Sequence, residues 1–127
     1  MQYPESKLRI LIADWINYNY KDIVYRFDLA ADIRLTVGQA SQHKRLHPFR
    51  GYPDLFIAEP RGQYHGLYIE LKAEGKSPFK KDGTLKTNEH LREQADVLQK
   101  LREKGYKAEF ATGIDETIEL IKSYLAK

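Results

Sequence analysis

The chain has 127 residues, of which 42% are hydrophobic and 12% aromatic. That is too apolar for a disordered tail, and long enough for one sizeable core but not two. Its 21 Lys and Arg against 18 Asp and Glu leave a mildly basic net charge of +3, which permits a nucleic-acid partner, and the absence of cysteine excludes disulfides, thiolate zinc sites, iron–sulfur clusters and a cysteine nucleophile. No window approaches the roughly 20 apolar residues of a membrane span. The start of the chain lacks the charged-then-apolar order of a secretory signal. The expectation is a soluble, cytoplasmic protein with one domain over 1–127 and no membrane partner.

The spacing of Leu8, Leu11, Ile12, Trp15 and Ile16 predicts a helix over 4–20 with one apolar face. Pro4 suits its first turn, and Glu5 stands where the helix dipole favours an acid. The β-branched and aromatic run 23–29 predicts a strand. Residues 30–47 are ambiguous, with a short helix expected around 36–46. His47 to Pro53 is a loop by its two prolines and one glycine. Asp54–Ala58 and Gly66–Lys72 read as two strands of a hairpin, separated by the turn signal 59–63. Residues 73–87 are polar and glycine-containing, and predict a mobile loop. Thr87 or Asn88 caps a helix to Lys104 with Leu91, Ala95, Leu98 and Leu101 inward, ended by Gly105. Lys107–Ala111 reads as a strand. Thr112 or Asp115 caps a last helix with Ile118, Ile121 and Leu125 inward. The order α-β-β-β-α-β-α, with the uncertain helix after the first strand, predicts an α/β fold: a central mixed sheet flanked by helices.

Three residues in the hairpin point to chemistry. Residues two apart on a strand share a face, so Glu70 and Lys72 project together. If the hairpin pairs as expected, the start of its first strand brings Asp54 beside Glu70. Two adjacent carboxylates repel unless a cation lies between them. A hard divalent ion with oxygen ligands, Mg²⁺ or Mn²⁺, resolves the conflict, and the Leu71 carbonyl offers one more ligand. Lys72 beside such an ion can orient water or neutralise developing charge. This describes a phosphodiesterase site. Its rim would be the basic segments on either side. Lys44, Arg45 and Arg50 lie in 43–50 with no acid, while Lys76, Lys80, Lys81 and Lys86 follow Lys72 against Glu74 and Asp82. Taken alone, Glu70 and Lys72 read equally as a solvated ion pair. His43 and His47 lack a third nitrogen or sulfur ligand nearby and read as loop or DNA contacts rather than a metal pair.

Gly51-Tyr-Pro-Asp54, the strand Gly66–Lys72 and Gln94 resemble the motifs of the VRR-NUC nucleases, of the PD-(D/E)xK superfamily with its restriction-endonuclease-like fold. The resemblance extends to the run 105–111 and to Asp115-Glu116. It implies divalent-metal-dependent endonuclease cleavage of DNA, often branched DNA such as Holliday junctions or flaps, in phage or bacterial replication and repair. It implies that Asp54 and Glu70 are metal ligands, that Lys72 is catalytic and that Gln94 lies near the site. Glu5 matches the acid of the family's first helix, which binds metal directly or through water. Short members that resemble Holliday junction resolvases imply a homodimer. The lysine-rich loop 73–87 departs from the compact family pattern. The competing reading is a non-catalytic nucleic-acid-binding module of a larger machine.

Overall fold

The computed structural model describes residues 3–28 and 34–127. Its elements are α1 (Glu5–Asn19), β1 (Tyr25–Phe27), α2 (Val37–Leu46), β2 (Leu55–Ile57), β3 (Leu67–Lys72), α3 (Glu89–Glu103), β4 (Lys107–Thr112) and α4 (Gly113–Leu125). The four strands form one sheet in the order β1-β2-β3-β4. β1, β2 and β3 pair antiparallel, and β3 pairs parallel with β4 through the α3 crossover. Antiparallel neighbours need only a turn, whereas a parallel pair needs a long connection, and the helical pattern 89–103 supplies it.

Alternation along the strands sorts side chains to two faces. Leu55, Ile57, Leu67, Ile69 and Leu71 join Leu8, Ile12 and Ile16 of α1 and Ile121 and Tyr124 of α4 in the main core. Each such fully buried side chain is worth about 1.5–3 kcal/mol of transfer free energy. On the opposite face Tyr68 and Ala108 pack with Leu98 of α3, bordered by Phe56, Leu101, Tyr106 and Phe110. The result is a mixed sheet covered by α1 and α4 on one side and by α3 on the other. Among the described residues no helix is long and apolar enough to cross a membrane.

Four details differ from the sequence expectation. The short helix expected around 36–46 is present as α2, so the order is α-β-α-β-β-α-β-α rather than the one written without it; Thr36 and Gln39 close a capping box at its start. The inward stripes are shifted. In α3 the buried residues are Gln94, Val97 and Leu98, and in α4 Thr117, Ile121 and Tyr124 are buried while Ile118 is not. Thr117 is tolerated because its hydroxyl donates to the Gly113 carbonyl at 2.7 Å. In α1 the apolar face includes a buried arginine, Arg9, while Leu11 and Trp15 are only partly covered. Finally, the loop 73–87 contains a small hairpin turn. Phe79 bridges Leu85, and the Lys80 amide donates to the Thr84 carbonyl. The last residue of the first expected strand, Leu29, lies outside the described residues.

Candidate active site

The strand ends create the site. β2 begins only at Leu55, one residue after Asp54, while the antiparallel β3 runs on to Lys72. The Leu71 amide therefore has no β2 carbonyl opposite it. It donates instead to Asp54 Oδ2 at 2.9 Å. That bond pins the Asp54 carboxylate against the end of β3. The Asp54 carbonyl accepts from the Asp28 amide at 2.7 Å, which fixes the backbone behind it. A residue's amide and carbonyl leave a strand on the same edge, so the Leu71 carbonyl also faces this gap.

Glu70 shares the α3 face of β3 with Tyr68 and Lys72, whereas Ile69 and Leu71 point into the main core. Its side chain is only 3% exposed. Glu5, from the first turn of α1, completes the group. Glu5, Asp54 and Glu70 each bring a carboxylate oxygen to within 4.8 Å of the others. Burial is the largest influence on Glu70 and pushes its carboxyl far above the usual range; a hydrogen bond with Asp54 and the Asp54 charge add to this. Glu5 is raised too, by burial first and by Asp54 second.

Two cations border the acids. Arg9 Nη1 lies 4.0 Å from Asp54 Oδ1. Lys72 donates to Gln94 Oε1 at 2.7 Å, and its ammonium lies 5.9 Å from the centre of the Phe110 ring. Gln94 is buried, at 5% exposure, and its amide nitrogen donates to His90 Nε2 at 3.2 Å. The two ends of one amide thus face a lysine and a histidine, which sets its orientation. An amide held this way holds the lysine in turn.

The site's oxygens suit a hard divalent cation. Three carboxyl groups, one of them buried, meet with two cations at their edge, and the proton that burial keeps on Glu70 avoids the repulsion three ionised carboxylates would meet. A divalent ion would relieve that repulsion with ligand atoms of the type it prefers.

Of the residues singled out in the sequence, the fold brings Glu5, Asp54, Glu70, Leu71, Lys72 and Gln94 together. Lys44, Arg45, Arg50, Lys76, Lys80, Lys81 and Lys86 are all exposed. Arg50 is engaged with Glu93 of α3 at 3.2 Å, so it also ties the 47–53 loop to that helix. His43 and His47 stack on each other, with ring centres 3.9 Å apart, one turn apart at the end of α2.

Sequence reasoning missed Arg9 and His90. The signal for Arg9 was present: it falls between Leu8 and Ile12 on the apolar stripe of α1, four residues after Glu5. A charged side chain on a buried stripe needs a partner at its tip. His90 had a weaker signal, its spacing of four residues from Gln94.

A solved structure of a protein named "VRR_NUC domain protein" is 24% identical to this chain, with a TM-score of 0.66. The match covers 99% of this chain and 91% of that one. It shows that the two share a fold, with a mixed sheet between helices. No protein-family model and no curated protein matches the chain.

Proposed function

We propose that this chain is a divalent-metal-dependent DNA nuclease of the VRR-NUC type, acting on phosphodiester bonds. The observation that carries the reading is the meeting of Glu5, Asp54 and Glu70 within 4.8 Å, beside a lysine fixed by a buried glutamine. The shared fold with a VRR_NUC domain protein supports it.

In this reading Asp54, Glu70, the Leu71 carbonyl and Glu5 hold Mg²⁺ or Mn²⁺. When bound, such an ion supplies the Lewis-acid chemistry that ionises water and neutralises a phosphoryl oxygen. The protein's own groups do the rest. Lys72 orients the attacking water and stabilises the negative charge that develops on phosphorus-bound oxygen. Gln94 fixes the lysine's position through Oε1. Arg9 neighbours Asp54 at Oδ1, the oxygen that the Leu71 amide does not hold. The attacking water gives up a proton to solvent as its oxygen bonds to phosphorus and the ester P–O bond breaks, and the departing oxygen takes a proton from solvent.

Clustered carboxylates would repel DNA without a basic rim. In this reading the exposed Lys44, Arg45 and Arg50, before the site in sequence, and Lys76, Lys80, Lys81 and Lys86, after it, form that rim. One site makes one cut, so symmetric cleavage of a four-way junction needs two copies about a two-fold axis. A homodimer acting on branched DNA follows, and light scattering that finds only monomer at assay concentrations argues against junction resolution.

The test is a cleavage panel of duplex, nicked, flapped and four-way-junction DNA with Mg²⁺, Mn²⁺ or EDTA. Metal-dependent cutting that disappears in Asp54→Ala is the expected result. Binding with no cutting under any metal would reassign the chain as a non-catalytic DNA-binding module.

A further inference from the structure

A cavity of about 360 Å³ adjoins the carboxylate site and shares Asp54 as a wall. It lies on the α3 face of the sheet, over the cross-strand pair Arg26 and Phe56. α3 covers β4 on this face, and the 47–53 segment comes over β1 and β2 instead. Three aromatic rings line the cavity: Phe49, Tyr52 and Phe56. Phe49 is 57% exposed and Tyr52 is 44% exposed. Large aromatics left open beside a catalytic centre are surface the fold would otherwise bury.

The wall is rigid. The Tyr52 hydroxyl donates to the Tyr68 hydroxyl at 3.2 Å, and the two rings meet edge to face. Phe56 stacks on Tyr68 with ring centres 4.3 Å apart, and Tyr106 closes against both. A platform fixed by four rings loses little entropy when a flat ligand stacks on it.

Charge selects the occupant. Arg26 and the polar ring of His47 share the wall with Asp28 and Asp54. Arg26 and Asp28 offset each other in the wall, so no net positive charge draws a phosphate inside, whereas an uncharged aromatic with polar edges suits both the rings and the mixed polar groups. The exposed Lys44 and Arg45 of α2 precede the same segment and suit the phosphates of a strand whose base lies inside. The volume falls within the range of small-ligand sites.

We infer that this cavity takes one unstacked nucleobase of the strand being cut, adjacent to the bond held at Asp54 and Glu70. The inference rests on the nuclease reading and narrows its substrate to DNA with an unpaired nucleotide next to the cut. A base inside a continuous duplex is paired and stacked, and reaches the cavity only after extrusion.

The test uses a branched DNA of known cut position, kept intact with Ca²⁺ in place of Mg²⁺. Abasic sites are placed singly over three nucleotides on either side of the cut. Binding is read by fluorescence anisotropy for the wild type and for Phe49→Ala, an exposed position whose thermal unfolding should be unchanged. One abasic position should weaken wild-type binding about 5- to 100-fold, the range of base–aromatic stacking, and leave Phe49→Ala binding nearly unchanged. Pairing that same nucleotide in Mg²⁺ should slow cleavage. If no abasic position separates the wild type from Phe49→Ala while cleavage in Mg²⁺ persists, the base pocket is wrong and the nuclease reading stands. If no DNA is bound or cut at all, both fail together.

Discussion

Gly51 sits against the backbone of Gln94: a Cβ at Gly51 would fall 2.7 Å from the Gln94 nitrogen. The same glycine has φ of 81°, a left-handed conformation that side chains resist. The loop carrying Asp54 and the helix carrying Gln94 are therefore locked at one point of closest approach. Gly51→Ala cannot be absorbed by a side-chain shift, because the obstacle is helix backbone. We expect it to cost about 1–3 kcal/mol, seen as a drop of several degrees in thermal unfolding. Cleavage should fall further than stability explains, since Gln94 moves with the helix. Gly38→Ala is the control: nothing lies within 4 Å of a Cβ there, so its melting temperature should hold or rise. Equal losses in the two variants would show that the contact is unimportant.

Lys72 and Gln94 should separate in kinetics. Lys72→Ala removes the group proposed to act on the reacting atoms, and cleavage should fall about 10²–10³-fold with DNA binding retained. Gln94→Ala leaves the lysine present but unheld, and a loss on the order of 10- to 100-fold is expected. Single-turnover cleavage beside anisotropy binding checks both. Turnover of Lys72→Ala comparable to the wild type would remove the lysine from the mechanism.

The burial that raises Glu70 makes stability depend on pH. Above its ordinary value of 4.5, the unfolded chain gives up this proton while the folded chain still holds it. The folded state then binds more protons, so stability falls as pH rises through this window. Glu5 shifts the same way and adds to the slope. In EDTA the melting temperature should be lower at pH 8 than at pH 5.5. Glu70→Gln cannot ionise and should flatten this dependence, while abolishing cleavage. A variant with the same slope as the wild type would place the titrating group elsewhere.

Divalent ions should reverse that loss. An ion that binds only the folded state stabilises by about 2.7 kcal/mol at 100 times its dissociation constant. Because ion and proton compete for the same carboxylates, Mn²⁺ should raise the melting temperature more at pH 8 than at pH 5.5. Calorimetric heats of Mn²⁺ binding should vanish in Asp54→Ala. Unchanged heats in that variant would place the ion away from the Glu5, Asp54 and Glu70 group.

Much of this protein follows from local pattern. The alternation in Leu67–Lys72 makes a strand buried on both faces, with Glu70 and Lys72 on one of them. Asn88 caps α3 through its side chain, accepting from the Leu91 amide, and Gly105 ends the segment at φ of 96°. Asp54 and Glu70 meet because a hairpin's register follows from its two strands. These are short-range consequences of residue type and spacing, and each is legible in the chain itself.

Other features were decided only when distant segments packed. The inward face of α3 turned toward Gln94 rather than Leu91, because the amide found Lys72 and His90 as partners. Arg9 entered the core stripe of α1 because Asp54, far along the chain, reached its tip. α2, the short helix expected at 36–46, buries none of its residues, so no apolar stripe fixes its bounds and its start is set by the Thr36–Gln39 capping box. The cavity beside Asp54 exists because α3 is too far across the sheet to cover β1 and β2. Residue type and spacing dictate which groups a strand or helix presents. Only the packing of one element on another decides which groups find partners, and which are left open to substrate.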